Sequence, residues 1–300
     1  MKGVNMLHGV RVYLSGPMDY IAERQGSEAE DGWRRRVGDI LTKKYGAIVF
    51  TPWNKPPVRG VGPYGREGEE GQDYRKNWTF ESGERGSTGR ALCSEKAWPM
   101  VHIDLRMVDT SDFVIAYCPT NVYSVGTVHE IVVARQQKKP VLFVTPPVSY
   151  PALAKLEQHL AADRKGSRML KDLNRQAALK ENETGAPSSW YMGILDTETV
   201  FDGFGFTETL AKRYRWNDTE LGKAEHKSPP KRPLLAFLDQ LNRGDFSRKW
   251  RSTGDSRRND DWLLWVLESS GSGQSLADVN TPSEESDSRR SPRSSPKTRK

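Results

Sequence analysis

Residues 104–144 read DLRMVDTSDFVIAYCPTNVYSVGTVHEIVVARQQKKPVLFV, a stretch in which apolar runs alternate with a polar, helix-like segment. The runs FVIAYC and VLFV are rich in β-formers and bounded by polar residues, which is typical of buried strands. The segment between them, SVGTVHEIVVARQQKK, predicts a helix with Gly126 in its tight opening turn and Thr127 as its N-cap. Strand, helix and strand in this order predict a right-handed parallel unit.

Glu130 is the candidate catalytic residue of this unit. Ligands of parallel α/β sheets bind at the carboxyl ends of the strands, beside helix N-termini. The pattern places Glu130 in the first turn of the predicted helix, where the helix dipole and the unpaired backbone amides favour an ionised carboxylate. An ionised carboxylate suits a nucleophile, but an acid in a first turn also commonly serves only to stabilise its helix. Spacing alone leaves both interpretations open.

The chain begins with a second unit of the same kind. Residues 10–14 predict the first strand, residues 27–45 a crossover helix, and GAIVFTP a second strand. Tyr13 and Ser15 leave the first strand on the same side because side chains in a strand alternate, and Gly16 lets the backbone turn close to a ligand. This order predicts an α/β fold with a doubly wound parallel sheet.

A long insertion follows the second strand. Residues 53–98 are rich in glycine, charge and aromatic side chains and far exceed the usual length of a connection. Because the insertion leaves the carboxyl end of a strand, it could cover the site, with Trp53 and Lys55 as possible pocket residues; disorder is the competing explanation. A helix predicted to begin at about Ser94 or Pro99 then carries Asp104.

The chain beyond residue 150 is predicted to complete the sheet and to add helices. Residues 151–268 contain a candidate fifth strand within WYMGILDTETVFDGFGF and two amphipathic helices, PLLAFLDQLNRGDFSRKW and DDWLLWVLESS. Residues 269–300 form a Ser/Pro/Arg-rich segment that we expect to be disordered. Six basic residues lie in 289–300, so the net charge of +7 leaves the rest nearly neutral. Contact of this tail with nucleic acid is possible, but a solubilising tail is the favoured interpretation.

The sequence lacks the patterns of a membrane protein, of a disulfide framework and of a metal site. No apolar run reaches the length that spans a membrane and no signal-peptide core is present, so we expect a cytoplasmic protein without membrane contact. Cys93 and Cys118 lack the spacing of a disulfide framework or a metal site, and Cys118 is predicted to be a buried thiol. His102 and His129 have no second ligand at a suitable spacing, so no metal site is predicted.

Three motifs together carry a resemblance to a known family. They are VYLSGP at residues 12–17, the pair Asp104 and Asp112 in a D-x7-D spacing, and S-x-G-T-x-x-E ending at Glu130, followed by a helix and K-P-V. In these motifs the chain resembles the nucleoside 2-deoxyribosyltransferase-like superfamily over roughly its first half. The resemblance implies a flavodoxin-like sheet of about five strands, with cleavage or exchange of the N-glycosidic bond of nucleosides or nucleotides and no cofactor.

The resemblance also implies roles for individual residues. Glu130 corresponds to the nucleophile, Asp104 to the aspartate that faces the base, and Tyr13 to the tyrosine that supports the site. From its helix, Asp104 could donate a proton to the departing base if its carboxyl is kept partly protonated. The predicted substrate contacts are Ser15, Gly16, Ser124, Gly126 and Thr127. For Asp112, directly before a strand, a structural role is favoured.

One position bears on the substrate. The transferases of this superfamily usually have an aspartate six residues before the nucleophile, whereas the branch that hydrolyses nucleoside 5′-monophosphates has a serine, and here the residue is Ser124. A hydroxyl beside a helix N-terminus can bind phosphate, which a carboxylate would repel. That branch also has a serine and an arginine where this chain has Pro17 and Asp19. The preference for a nucleotide is therefore an open question.

Other functions remain compatible with the sequence. A nucleotide-binding sensor of the same fold would keep the cleft without turnover, and an NAD-cleaving glycosidase would also use a glutamate. Members of the superfamily usually complete each pocket with a neighbouring subunit, so a homodimer or larger assembly is expected. Hydrolysis or transfer, the base, and ribose or deoxyribose are not distinguished by the sequence.

Overall fold

A parallel sheet organises the structure, a computed structural model that describes residues 5–17, 32–53, 78–119, 124–147, 151–177, 188–195 and 199–243. The strands are short, and their side chains are mostly buried on both faces, as parallel sheets require. They are β1 (Arg11–Ser15), β2 (Ile48–Phe50), β3 (Phe113–Tyr117), β4 (Val141–Val144) and β5 (Val200–Phe201).

Helices connect the strands and cover the sheet. Helix α1 continues into a π-helical turn at Leu41–Tyr45, and a 3-10 turn occupies Trp216–Asp218. The α-helices of the described residues are α1 (Trp33–Ile40), α2 (Glu84–Thr110), α3 (Val125–Gln136), α4 (Pro151–Leu160), α5 (Arg164–Ala177), α6 (Ser189–Ile194), α7 (Glu208–Arg213), α8 (Glu220–Lys227) and α9 (Leu234–Arg243).

The strand order confirms the predicted fold class. The five strands lie in the order β2-β1-β3-β4-β5, and every neighbouring pair is parallel. This is the flavodoxin-like order of a doubly wound sheet. Strand β2 lies on one side of β1, and β3 to β5 are added on the other side, so the winding of the sheet reverses between β1 and β3. The carboxyl ends of β1 and β3 therefore border the crevice in which such folds bind ligands.

Two apolar clusters, one on each face, hold the helices against the sheet. Helices α2 and α3 bury Val108 and Ile131 against the face that carries Tyr13, whereas α1 and α9 bury Val37 and Leu238 against the other face. The alternation of side chains along β1 explains the division, because Tyr13 points to one face while its neighbours Val12 and Leu14 point to the opposite one.

Helix α2 begins earlier than predicted. The sequence placed its start at about Ser94 or Pro99, but the helix runs from Glu84 and includes Pro99 in its interior. A proline normally argues against a helix interior, and glycines before it weaken the helical pattern, so no strong start signal marks Glu84 in the sequence. The later part of the predicted 53–98 insertion is consequently helical, while residues 54–77 lie outside the described residues.

The region after residue 150 supplies the predicted fifth strand. Strand β5 pairs with β4, and α9 packs its leucines into the cluster shared with α1. The predicted helix DDWLLWVLESS and the 269–300 tail lie outside the described residues. None of the helices in the described ranges is long and apolar enough to cross a membrane.

Asp112 has the structural role that was favoured for it. Its carboxylate accepts a hydrogen bond from the backbone N–H of Arg11 at 2.8 Å and forms an ion pair with the Arg11 guanidinium at 2.9 Å. These contacts join the amino-terminal ends of β1 and β3, opposite the end at which ligands bind. Asp112 therefore fixes the pairing of the two central strands without approaching the candidate site.

Asp112→Ala should destabilise the fold by about 2 kcal/mol, because it leaves the partly buried backbone N–H and guanidinium of Arg11 without their acceptor. Urea unfolding measures the loss. The matched control is Asp109→Ala, since Asp109 pairs with Arg106 at an exposed helix position and should cost less than about 1 kcal/mol. Equal losses in the two variants would contradict the structural role of Asp112.

Candidate active site

Glu130 lies buried at the carboxyl edge of the sheet, held by two hydroxyl groups from β1. The Tyr13 hydroxyl donates to Oε1 of Glu130 at 2.7 Å, and the Ser15 hydroxyl donates to Oε2. Both donors are fully buried. Each carboxylate oxygen therefore has its own fixed donor, and the plane of the carboxyl group is set by the first strand.

Local structure explains this convergence. Tyr13 and Ser15 are two residues apart in β1 and project from the same face, as the strand period predicts. Helix α3, which follows the neighbouring strand β3, packs on that face and carries Glu130 toward them. The two hydrogen bonds join residues more than 100 positions apart in the chain.

Two predictions about helix α3 were wrong. The N-cap is Ser124, whose side chain accepts from the Thr127 backbone N–H, rather than Thr127 itself. Because the helix starts at Val125, Glu130 falls in the second turn, beyond the unpaired amides of the first. Both errors have one cause: the sequence S-x-G-T offers two hydroxyl residues that could each cap a helix.

The charge state of Glu130 also differs from the prediction. Burial, with the neighbouring charge of Asp104 as the second cause, raises the pKa of Glu130 from 4.5 to about 7. The hydrogen bonds from Ser15 and Tyr13 and the charge of Arg34 oppose the rise without cancelling it. An ionised carboxylate was expected from a helix N-terminus, whereas burial raises the pKa of this carboxyl to about 7.

Asp104 lies on the helix next to α3, on the same face of the sheet. It is buried in α2, near enough that its charge raises the pKa of both Glu130 and Tyr13. The largest cause of the raised Tyr13 pKa is burial, so this phenol stays protonated and acts as a donor. Two carboxyl groups and a neutral phenol thus share one buried space, an arrangement typical of acid–base or nucleophilic sites.

Arg34 is a member of the site that the sequence interpretation missed. It lies in α1, only 2% exposed, and donates from Nη2 to the Gly16 carbonyl at 2.6 Å. Gly16 has no room for a side chain, since a Cβ there would lie 2.8 Å from Cζ2 of Trp33. The sequence predicts a crossover helix over residues 27–45, but no spacing within it marks Arg34 as buried.

Ser124 and Thr127 form a small hydroxyl pair at the N-terminus of α3. Their oxygens lie 2.8 Å apart, and both side chains are buried. Gly126 is exposed beside them, and a Cβ at this position would meet no atom of the described chain within 4 Å. Gly126 was predicted to allow a close approach to the backbone, and no atom of the described residues makes such an approach.

Several further residues line the same edge. Cys118 follows β3, and burial raises the pKa of its thiol to about 12, so it is a neutral, buried group as predicted. Thr145 follows β4, and its buried hydroxyl has no hydrogen-bond partner among the described residues. The buried indole N–H of Trp53, which follows β2, also has no hydrogen-bond partner within the described ranges. Lys55 and Asp19 lie outside the described residues.

The two histidines named in the sequence do not join the carboxyl groups. His129 is exposed although it neighbours Glu130 in the chain, and His102 packs against Trp98 with tilted rings whose centroids are 4.2 Å apart on an exposed part of α2. Among the described residues, no group of three or more His, Cys, Asp or Glu side chains is placed to hold a metal ion.

Compared with family models, with curated proteins and with solved structures, the chain shows no significant match. The resemblance of its motifs to the nucleoside 2-deoxyribosyltransferase-like superfamily therefore stays a prediction. In the structure the predicted Tyr13, Ser15 and Glu130 are in direct contact, and Asp104 is near enough for its charge to raise the pKa of Glu130.

Glu130→Gln should remove a pH dependence of stability. Because the pKa of Glu130 is raised from 4.5 to about 7, the folded protein retains a proton that the unfolded chain loses at lower pH. This contribution to stability is full below about pH 4.5 and is lost as the pH rises through about 7.

The glutamine variant has no such loss, so its free energy of unfolding relative to wild type should rise by about 2 kcal/mol between pH 5 and pH 8. Urea unfolding of both proteins at the two pH values measures this difference. A difference that stays constant from pH 5 to pH 8 would show that Glu130 titrates in the folded protein as it does in the unfolded chain.

Proposed function

We propose that this protein cleaves or exchanges the N-glycosidic bond of a nucleoside or a nucleoside 5′-monophosphate, with Glu130 as the nucleophile. The supporting observation is the buried Glu130 carboxyl held by Tyr13 and Ser15 at the carboxyl edge, with Asp104 as a second carboxyl beside it. This arrangement provides a nucleophile and a proton donor, the two groups that glycosidic chemistry of the retaining kind requires.

In the first step, one Glu130 oxygen attacks the anomeric carbon of the sugar. The bond from that carbon to the base nitrogen breaks, and its electron pair leaves with the base. The base takes the proton of Asp104, so one carboxyl becomes an ester and the other becomes a carboxylate.

In the second step, water or a second base attacks the same anomeric carbon and displaces the Glu130 carboxylate. Asp104 accepts the proton of the attacking group and returns to its starting state. Water gives hydrolysis and a second base gives exchange, and both retain the configuration at the anomeric carbon because two displacements occur.

The shared environment of the two carboxyl groups suits this sequence of protonation states. Their mutual repulsion makes loss of the second proton unfavourable, so the pair retains one proton below about pH 7, the pKa of Glu130 beside the charge of Asp104. Tyr13 and Ser15 donate to Glu130 and stabilise its carboxylate form. The first step uses the form of the pair in which Glu130 is the carboxylate and the remaining proton lies on Asp104.

Ser124 supports a 5′-monophosphate as the substrate, and Pro17 gives no such support. The Ser124 hydroxyl lies at the N-terminus of α3 beside the exposed Gly126, where a phosphate would meet backbone amides. Nucleosides and their monophosphates are therefore both included in the proposal, and their relative rates decide between them. The expected cytoplasmic location and homodimer remain predictions.

Glu130→Ala should abolish base release from the preferred substrate, with a loss of at least about 10³-fold, because the nucleophile itself is gone. The measurement is chromatography of bases released from ribo- and deoxyribonucleosides, their 5′-monophosphates and NAD, with and without an added acceptor base. His129→Ala is the matched control, since His129 is the exposed neighbour on the same helix, and it should keep the wild-type rate.

Each substrate outcome has a distinct meaning. Release from monophosphates alone would support phosphate recognition at Ser124, and release from NAD alone would favour the NAD-cleaving alternative. Base release that persists in Glu130→Ala, or that is absent from wild type with every substrate and acceptor, would contradict the proposal.

The rate should fall as the pH rises through about 7. The first step needs one proton on the two carboxyl groups, and the last of their protons is lost at about pH 7, so kcat/KM should decrease about tenfold per pH unit above that value. Ser15→Ala removes a hydrogen bond that lowers this pKa, and should move the falling limb to higher pH. A kcat/KM that does not fall above about pH 7 in wild type, or an unmoved limb in Ser15→Ala, would show that Glu130 is not the group being ionised.

A further inference from the structure

Arg34 brackets Ser15 from both sides along the chain. Its Nε donates to the carbonyl of Leu14 at 3.3 Å and its Nη2 to the carbonyl of Gly16 at 2.6 Å. These are the residues immediately before and after Ser15. A planar guanidinium can span two carbonyls two residues apart because its donors form a rigid fork.

The position of this fork coincides with the end of strand pairing. Strand β1 pairs with β2 only as far as Tyr13, opposite Phe50, although β1 itself continues to Ser15. Beyond that pair, Arg34 of helix α1 donates to the carbonyls of Leu14 and Gly16. The last residues of β1 are thus held by a side chain on one side and by β3 on the other.

The surroundings are shaped to receive the guanidinium. Its central carbon lies 4.9 Å from the centroid of the Trp33 ring, and a Cβ on Gly16 would come within 3.1 Å of Nη2. Burying a cation is costly unless it is hydrogen-bonded. Here the carbonyls of the residues on either side of Ser15 accept those hydrogen bonds. The charge is also near enough to Glu130 to lower the pKa of that carboxyl.

We infer that Arg34 is a positioning residue for the candidate active site: its guanidinium fixes the end of the first strand so that the Ser15 hydroxyl stays on Glu130. It does not contact the reacting atoms itself. Its effect on the reaction passes through Ser15 and through the electrostatic potential at Glu130. This inference rests on the proposed function where rates are concerned, whereas the titration of Glu130 does not depend on it.

Arg36 provides a matched control on the same helix. It is also buried, at 6% exposure, and donates to backbone carbonyls of Tyr214 and Arg215 at 2.9 and 3.2 Å. Its partners belong to the C-terminal region and not to the β1 turn. Arg36→Met therefore removes an equivalent buried arginine while leaving the bracket around Ser15 intact.

The experiment compares Arg34→Met, Arg34→Lys and Arg36→Met with wild type. Carbon-13 NMR of protein labelled at glutamate carboxyl groups follows the titration of Glu130, which is assigned by its absence in Glu130→Gln. Arg34→Met should raise the midpoint of Glu130 by about one pH unit, because both the cation and the hold on Ser15 are lost. Arg34→Lys keeps the cation and should shift the midpoint less, and Arg36→Met should leave it at the wild-type value.

Rates measured at pH 6, where the two carboxyl groups retain one proton in wild type and in variants with a raised Glu130 pKa, separate positioning from ionisation. Arg34→Met and Arg34→Lys should both lower kcat by at least about tenfold, since neither side chain spans the two carbonyls and small misplacements of catalytic groups are costly. KM should change little. Arg36→Met should retain wild-type kcat, even if it is as destabilised as the Arg34 variants in urea unfolding.

The outcomes distinguish this inference from the proposed function. A midpoint in Arg34→Met within about 0.2 unit of that in Arg36→Met, with equal rates, would show that Arg34 only stabilises the fold. If Arg34→Met does not fold, Arg34→Lys alone decides: wild-type kcat in that variant overturns the inference. If wild type releases no base, the proposed function fails, and the titration still tests the link from Arg34 to Glu130.

Discussion

The hydrogen bonds from Tyr13 and Ser15 to Glu130 are the constraint around which the described structure is arranged. They connect the first strand to the helix that follows the third, so they form only if β1 and β3 are neighbours and α3 packs on the face that carries Tyr13. The flavodoxin-like strand order supplies that neighbourhood, and the alternation of side chains along β1 supplies the two donors. A change of one residue in the register of β1 would turn both hydroxyls to the opposite face.

Two charges of opposite sign then shift the pKa of Glu130 in opposite directions. Asp104 raises the pKa of Glu130 while Arg34 lowers it, and burial adds the largest upward effect. The result is a carboxyl that loses its proton near neutral pH, although a typical glutamate is fully ionised there. Burial of this group lowers the stability of the fold at high pH, a cost that is more common at functional sites than at positions that only pack.

Much of this arrangement could be predicted because it depends on short-range patterns in the sequence. Period-two alternation gave Tyr13 and Ser15 a common side, and the apolar runs gave the strands and hence the fold. The sequence could not show that Arg34 turns toward the site, because its burial depends on packing against Gly16 and Trp33 at the sheet edge. It also could not choose between Ser124 and Thr127 as the cap, since both satisfy the same local rule. Long-range contacts decided the first question.

Glu225 shows that burial and a raised pKa do not by themselves mark a site. It is as buried as Glu130, and burial raises its pKa too, but its oxygens accept from the N–H groups of Phe204, Gly205 and Trp216. Those donors lie in the C-terminal region and leave the carboxylate to hold a turn together. Glu130 differs in its companions: two hydroxyl donors, which can rotate toward another acceptor, and a second carboxyl on the adjacent helix. A carboxylate that must attack carbon needs donors that can release it, and of these two buried glutamates only Glu130 has hydroxyl donors in the structure.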